Sequence, residues 1–179
     1  SPIARIADTL EHAQNVIPRN VHYFIGKIWS WPNTRLVEAQ EHRCMTYLAL
    51  AHGARGLFWY SFRDPNWYIP DDNPAVWAEM KRVNEELIEL EPALLTPNIG
   101  EATFNDGAIH ASAKRVGDSL FVIAVNPTEE PVSGQIALSE IAPGLQCGAT
   151  AEVMFEGGTV GVTDGAIADD FEPLGVHVY

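Results

Sequence analysis

Aromatic and acidic side chains are concentrated in two short segments of this sequence, each at the end of a predicted strand. Six of them form the candidate binding set: Trp29, Trp59, Tyr60, Asp64, Trp67 and Tyr68. Aromatic rings offer flat apolar surfaces and carboxylates accept hydrogen bonds, so the set suits a ligand with apolar faces and polar edges. The alternative interpretation is that these rings only pack against neighbouring residues. The set predicts binding roles, and no catalytic residue follows from it.

Other kinds of chemistry have weaker sequence support. His42 follows Glu38 by four residues, but the second histidine of a metal-binding helix is missing. Ser61 lacks the glycine-flanked turn of a serine hydrolase. The carboxylates of residues 164–172 are of the type that calcium prefers, but their spacing matches no EF-hand loop. We therefore expect no metal and no other cofactor.

Several remaining polar residues are interpreted as structural. His52 lies at the end of a predicted helix, where a hydrogen-bond donor helps to satisfy the last carbonyls. His110 and His177 lie on predicted strands as isolated residues. Asp71 and Asp72 precede a helix that begins with proline, and turn and capping chemistry is the interpretation we favour.

The elements that position these residues alternate between helix and strand up to Pro97. The apolar spacing predicts helices over residues 1–17, 34–53 and 75–91, and strands over residues 21–29 and 56–62. The two strands begin 35 residues apart, which is the length of one βα repeat of a parallel α/β architecture. The segment 56–62 is almost continuously apolar, which predicts a strand that is covered on both faces.

The pattern changes after Pro97 to short alternating runs separated by glycine, proline and asparagine turns. Strands are predicted over residues 109–116, 119–125, 132–138, 149–155 and 176–179. We therefore expect two domains, a partial βα-barrel segment over residues 1–97 and an antiparallel β-sandwich over residues 98–179. The fold class is α/β plus all-β. The short connection between them predicts that the two parts pack together.

Charge and aromatic residues are also divided unequally between these two parts. The 179 residues have a net charge of −13, which disfavours a nucleic-acid partner. Residues 1–97 carry 9 basic and 12 acidic side chains, a net charge of −3, and contain all five tryptophans. Residues 98–179 carry 2 basic and 12 acidic side chains, a net charge of −10. No apolar run is long enough to predict a membrane span. Cys44 and Cys147 are expected to be unpaired thiols.

Two parallel strands and three helices leave open sheet edges and uncovered apolar surface. The sequence begins without methionine and directly at a predicted helix cap, so we expect that further βα units precede it. The alternative is that a second copy of the chain supplies the missing strands. In either case we expect this chain to self-associate as a homo-oligomer, and a well-folded monomer in size-exclusion chromatography would count against it.

Three segments resemble the C-terminal end of glycoside hydrolases that have a βα barrel followed by an all-β domain. They are EHRCMTYLALAHGARGLFWYSFRD (residues 41–64), the helix of residues 75–91, and DGAIADDFEPLGVHVY (residues 164–179). The resemblance implies that residues 21–29 and 56–62 are the seventh and eighth barrel strands. Residues 1–17 would then be the sixth helix, and residues 98–179 the appended sandwich.

The resemblance also implies a carbohydrate substrate or ligand, and an extracellular or periplasmic location. Glycoside cleavage needs two carboxylates that flank the bond. In many such hydrolases one of them ends the seventh strand, but here that strand ends Lys27-Ile28-Trp29 without Asp or Glu. The chain by itself is therefore expected to be inactive. The competing interpretation is a non-catalytic module, in which the sandwich binds carbohydrate or another protein.

Overall fold

The computed structural model describes residues 2–18, 20–29, 35–145 and 148–179. Its first part contains helices and short strands, in the order α1 (Arg5–Val16), β1 (Tyr23–Lys27), α2 (Ala39–Ala51), β2 (Gly56–Tyr60), β3 (Arg63–Asp64), β4 (Trp67–Tyr68), α3 (Ile69–Asp72), α4 (Pro74–Glu89) and α5 (Glu91–Leu94). The second part contains strands β5 (Gly100–Phe104), β6 (Ile109–Val116), β7 (Ser119–Val125) and β8 (Val132–Ala137), the short helix α6 (Leu138–Ile141), and strands β9 (Thr150–Glu152), β10 (Thr159–Thr163), β11 (Ala166–Phe171) and β12 (Val176–Val178).

Strands β1 and β2 form a parallel pair that is connected by α2. Their register runs from Tyr23 opposite Gly56 to Lys27 opposite Tyr60. Helix α2 covers one face of the pair, and the other face is exposed. The expectation that segment 56–62 is covered on both faces is therefore wrong, since Phe58 is 57% exposed and Tyr60 is 52% exposed. The physical reason is that successive strand residues point to opposite faces, and only one face has a helix against it.

The first two helices begin later than predicted, for reasons that are local to each start. Helix α1 begins at Arg5, because the preceding residues form a turn in which Ile6 N donates to Ile3 O at 3.0 Å. Helix α2 begins at Ala39, because Glu38 and Glu41 form a capping box there. Thr34, the first residue of the predicted helix, lies outside the described residues.

The third helix begins as predicted but does not end at Pro92. Asn73 caps α4 by accepting a hydrogen bond from Val76 N at 3.3 Å, and Pro74 is in the first turn, so the predicted start is confirmed. Helix α4 ends at Glu89, and Pro92 lies in the first turn of α5. Proline is tolerated there because first-turn amides have no partner within the helix.

The second part consists of two four-stranded antiparallel sheets, with strand orders β12-β7-β6-β5 and β8-β11-β10-β9. Strands β6 and β7 have the predicted bounds. Strands β5, β10 and β11 were not predicted: glycine, alanine and acidic residues weaken the pattern in β5 and β11, and a central glycine interrupts the β-branched residues of β10. The architecture is thus mixed helix and sheet with antiparallel sheets.

Helix α2 lies between the parallel pair and the sandwich. One apolar core fills the space between the two sheets and includes Ile136, Ile167 and Phe171. A second core joins Tyr47 and Leu48 of α2 to outward-facing residues of β7 and β12. The expected packing of the two parts is therefore confirmed at α2, and the domain boundary after Pro97 stays a prediction. Among the described residues, no helix is long and apolar enough to cross a membrane.

Candidate functional site

The carboxyl ends of β1 and β2 bring two aromatic side chains together. Trp29 follows β1, Tyr60 ends β2, and the amides of Ile28 and Trp29 donate to Tyr60 O at 2.7 and 3.2 Å. The Trp29 and Tyr60 rings meet edge to face, with centroids 6.2 Å apart. Parallel strands end on the same side of a sheet, and that shared direction places these two residues next to each other.

A carboxylate and a cation complete this group, which we call the strand-end cluster: Lys27, Trp29, Tyr60 and Asp64. The Tyr60 hydroxyl donates to Asp64 Oδ2 at 2.7 Å. This hydrogen bond and the negative charge of Asp64 raise the pKa of Tyr60. Lys27 Nζ lies 5.6 Å from the centroid of the Trp29 ring. The cluster therefore combines an aromatic surface with a hydrogen-bond acceptor and a cation, all at one end of the sheet.

Trp67 and Tyr68 lie on the hairpin β3–β4 beside the cluster, and only Tyr68 is exposed. Trp67 is 7% exposed, and its indole Nε1 donates to Ser61 O at 2.8 Å. It packs in a small apolar core with Ile28, the residue that follows β1, so its side chain supports the end of that strand from the interior. The Tyr68 ring is 38% exposed and contacts Phe62, with centroids 5.4 Å apart.

Trp59 points to the opposite face of β2, away from the strand-end cluster. Its ring lies over Gly26 of β1, where any side chain would clash with it, and 4.3 Å from the ring of His42 on α2. His42 is 2% exposed, and neither of its ring nitrogens has a hydrogen-bond partner in the described structure. Burial lowers the pKa of His42 to about 4. The strand alternation thus separates Trp59 from Tyr60, although they are adjacent in sequence.

The acidic pair before α4 has a structural role at Asp72. Its Oδ2 accepts a hydrogen bond from Tyr68 N at 2.6 Å at the start of α3. The predicted turn and capping role is therefore confirmed for Asp72. Ser30 and Trp31, which follow the first strand in the sequence, lie outside the described residues.

Two histidines that were predicted to be isolated have partners. His177 Nδ1 lies 2.8 Å from Glu156 Oε1, and His110 Nδ1 lies 2.8 Å from His52 Nε2. The expectation is wrong because both partners come from elements that are distant in sequence. Among the described residues, no group of three or more histidine, cysteine, aspartate or glutamate side chains has a metal-binding arrangement. Cys44 is buried, and burial raises the pKa of its thiol to about 12, which favours the protonated form over the nucleophilic thiolate.

A buried ionic network between α2 and α4 was not predicted from the sequence. Arg43 Nη1 lies 2.8 Å from Glu86 Oε1 and 3.4 Å from Glu79 Oε1, and the Tyr47 hydroxyl donates to Glu86 Oε2 at 2.5 Å. Glu79 and Glu86 are seven residues apart on the buried side of α4, which is the signal that could have identified them. The network holds α4 against α2 and lies away from the strand-end cluster.

No protein-family model matches this sequence, and no curated protein matches it either. Solved structures do match. The α-amylase of Geobacillus thermoleovorans in complex with acarbose has a TM-score of 0.65 at 13% identity, with 96% of this chain aligned to 41% of that one. An Anoxybacillus α-amylase of a new glycosyl hydrolase subclass has a TM-score of 0.63 at 15% identity, with 99% aligned to 45%.

A GH30 endoxylanase from Clostridium papyrosolvens is also similar, with a TM-score of 0.54 at 11% identity and 98% of this chain aligned to 45% of that one. The chain thus spans less than half the length of these three structural neighbours. At this level of identity the likeness concerns the fold. This chain therefore has the fold of a part of these glycoside hydrolases, and the likeness assigns none of their activities to it.

Proposed function

We propose that this chain is the C-terminal part of a glycoside hydrolase, and that its strand-end cluster contacts the sugar. The observation that carries the proposal is the Tyr60–Asp64 hydrogen bond of 2.7 Å beside the Trp29 ring, at the carboxyl ends of two parallel strands. Active sites of βα barrels lie at that end of the strands. Aromatic faces stack on the apolar faces of a sugar, and Asp64 accepts hydrogen bonds from its hydroxyl groups.

The exposed face of the β1–β2 pair supports the barrel part of the proposal. Its uncovered side chains include Tyr23, Ile25 and Phe58, each more than half exposed. In a barrel the face away from the helices fills the interior with branched and aromatic side chains. These residues would therefore be buried by further strands, and α2 would remain on the outside.

The chain by itself is proposed to bind sugar without cleaving it. Hydrolysis needs an acid and a second carboxylate on opposite sides of the glycosidic bond. Asp64 supplies one carboxylate and already accepts the Tyr60 hydroxyl, whereas Asp72 is engaged by Tyr68 N. Asp64 is the one carboxylate of the strand-end cluster as defined above, so we propose that a second catalytic carboxylate comes from outside this chain.

Calorimetric titration with maltotriose and xylotriose, followed by NMR shift mapping, tests this proposal. We expect weak binding that shifts the indole signal of Trp29 and is at least about tenfold weaker in Trp29→Ala and Asp64→Asn, since each removes a direct sugar contact. Trp59→Phe is the matched control, because Trp59 lies on the other face of β2. Shifts confined to the strands β8–β11 would instead support a sandwich-type binding module.

Activity is tested separately with aryl glycosides. The proposal expects no turnover by this chain, because one carboxylate cannot serve as both acid and nucleophile on opposite sides of the bond. Turnover that Asp64→Asn abolishes would contradict the inactivity of the chain but keep the site. Binding that is unchanged in both site variants would contradict the site itself.

A further inference from the structure

A buried pair of histidines joins the helices to the sandwich. His52 directly follows α2 and is 5% exposed, whereas His110 is the second residue of β6. His52 Nε2 and His110 Nδ1 lie 2.8 Å apart, and the two rings meet at 64°. We call these two residues the histidine pair. Because α2 and β6 belong to different parts of the fold, this hydrogen bond connects them directly.

Helix α1 meets the histidine pair from a third side. Gln14 Nε2 donates to the backbone oxygen of His52 at 2.7 Å. Glu11 Oε1 lies 3.2 Å from His52 Nδ1, within ion-pair distance but without hydrogen-bond geometry. Glu11 and His110 therefore face different nitrogens of His52, so the three side chains cannot bind one metal ion together. Glu11, His52 and His110 thus contact one another in sequence, and the chemistry available to them is the gain and loss of protons.

The number of protons on the pair decides whether the contact can exist. A neutral imidazole has one N–H donor and one acceptor nitrogen, and a protonated imidazole has two donors and no acceptor. The 2.8 Å contact holds one hydrogen between the two nitrogens. It is therefore compatible with a neutral pair or a singly charged pair. When both rings are charged, two N–H groups and two positive charges face each other, and the contact is lost.

The surroundings of the pair oppose the second charge. Burial is the largest effect on both pKa values and lowers them, and the charge of His52 lowers that of His110 further. Carboxylates act in the opposite direction. Glu101 from β5 and Asp8 from α1 raise the pKa of His52. Glu11 and Asp8, together with a hydrogen bond to the backbone of Gly107, raise the pKa of His110. The net result is a lowered pKa for each ring, so the closed contact binds fewer protons than separated histidines do.

We propose that the histidine pair is a pH-sensitive contact, which holds α1 and the last turn of α2 against the sandwich at neutral pH and releases them when both rings are charged. Acid favours the open form, because opening takes up protons that the closed pair excludes. The opening equilibrium then rises by up to about tenfold per pH unit for each proton bound, starting near the ordinary histidine pKa of about 6.5.

Hydrogen exchange of the chain at about pH 7 and pH 5, corrected for the intrinsic exchange rates, tests this proposal. Protection of α1 and of the last turn of α2 is expected to fall at least about tenfold more than protection of β7. In His110→Asn, the amide takes the place of Nδ1 and keeps a hydrogen-bonding group that does not titrate. This variant is expected to lose the selective fall at low pH.

Two matched variants separate the pair from other histidines. His177→Gln removes a histidine that is bound to Glu156 in the sandwich, and His42→Gln removes a buried one that contacts Trp59. Both are expected to retain the acid-dependent loss in α1. If His110→Asn loses protection as the parent chain does, the proposal is overturned.

NMR titration of the imidazole nitrogens in the parent chain provides a second measurement that needs no variant. We expect His52 and His110 to titrate below the ordinary histidine range, together with the loss of their hydrogen bond. Two independent titrations at the ordinary value of about 6.5, with α1 still protected, would overturn the proposal as well.

Discussion

The β1–β2 pair and the sandwich sheets both carry apolar side chains, but they bury them to different extents. Those between the two sandwich sheets are buried, whereas those on the face of the β1–β2 pair that points away from the helices are exposed. Between the two sandwich sheets, Ile136, Ile167 and Phe171 are at most 1% exposed. In the parallel pair, Ile25 is 70% exposed and Phe58 is 57% exposed. The difference lies in the number of layers: the second sheet of the sandwich comes from the same chain, whereas the parallel pair has a helix on one side only.

The sandwich has a core enclosed by its own two sheets, whereas the parallel pair depends on other elements for its stability. A two-stranded sheet has two unpaired edges and is marginal by itself. Here α2 stabilises the pair from one side, and α2 is in turn fixed by the apolar surface of β7 and β12. The sandwich therefore supports the parallel pair, and removing an apolar side chain should have very different costs in the two regions.

The largest expected effect comes from the sandwich core. Phe171→Ala should lower the free energy of unfolding by about 3–5 kcal/mol, because it leaves a cavity between the two sheets. Phe58→Ala makes the same chemical change on the exposed face of β2 and should stay within about 0.5 kcal/mol. Urea denaturation of both variants measures the difference. Equal costs would show that the face of β2 is already covered in solution.

A similarly large effect is expected where α4 is held against α2. Arg43→Met should cost about 3–5 kcal/mol, since it leaves the buried Glu86 without its ionic partner. Arg82→Met is the control, because Arg82 is 63% exposed and Glu79 keeps Arg43 at 3.4 Å when Arg82 is removed, so a loss of about 1 kcal/mol or less is expected. Denaturation that gives the same loss for both variants would contradict a special role for the buried network.

A smaller, pH-dependent effect is expected at His42, on the covered face of β2. Its pKa is about 4 in the folded chain against 6.5 when unfolded, because burial disfavours the charged ring. The unfolded chain therefore binds more protons between these values, and the stability due to neutral His42 falls as the pH decreases from 6.5 to about 4.

The loss amounts to about 3 kcal/mol at the acid end of this range. His42→Leu should lack this part of the acid destabilisation, which denaturation at a series of pH values measures relative to the parent chain. The carboxylates titrate in both proteins, so their effect cancels in the difference. Parallel pH profiles for the two proteins would contradict the assignment to His42.

The smallest effect on stability, but a clear one on association, is expected at the exposed face of the pair. The double variant Ile25→Ser, Phe58→Ser should change the free energy of unfolding by about 1 kcal/mol or less, because both side chains already contact solvent. It should reduce self-association in sedimentation velocity, because an exposed apolar sheet face favours contact between copies. Identical sedimentation of the variant and the parent chain would contradict this role of the face.

Local patterns predicted some elements closely. The alternating residues of β6 and β7 and the proline at the start of α4 act through neighbours in the sequence, and the structure confirms these predictions. Strand β11, with the sequence AIADDF, was missed because its acidic residues weaken the apolar alternation. It forms a strand through pairing with β8, from Ala166 opposite Ala137 to Phe171 opposite Val132, and that pairing is not visible in the local sequence.

The candidate site was predictable as a set of residue types, but not as a geometry. Trp29, Tyr60 and Asp64 come together, whereas Trp59 faces α2 and Trp67 is buried in a supporting core. Adjacent residues such as Trp59 and Tyr60 share one sequence context and yet point to opposite faces. Which face carries α2 is decided by packing over long distances in the chain.

The sequence by itself determined the three long helices and the two five-residue strands before Pro97, the turn-rich strands after it, and the concentration of aromatic residues in the first part. These features follow from the side-chain period of helices and strands and from turn chemistry, which act between near neighbours. The tertiary structure alone decided that Tyr60 meets Asp64, that His52 meets His110, and that one face of β2 is exposed. Those contacts depend on which surfaces are buried together, and burial is a property of the whole fold.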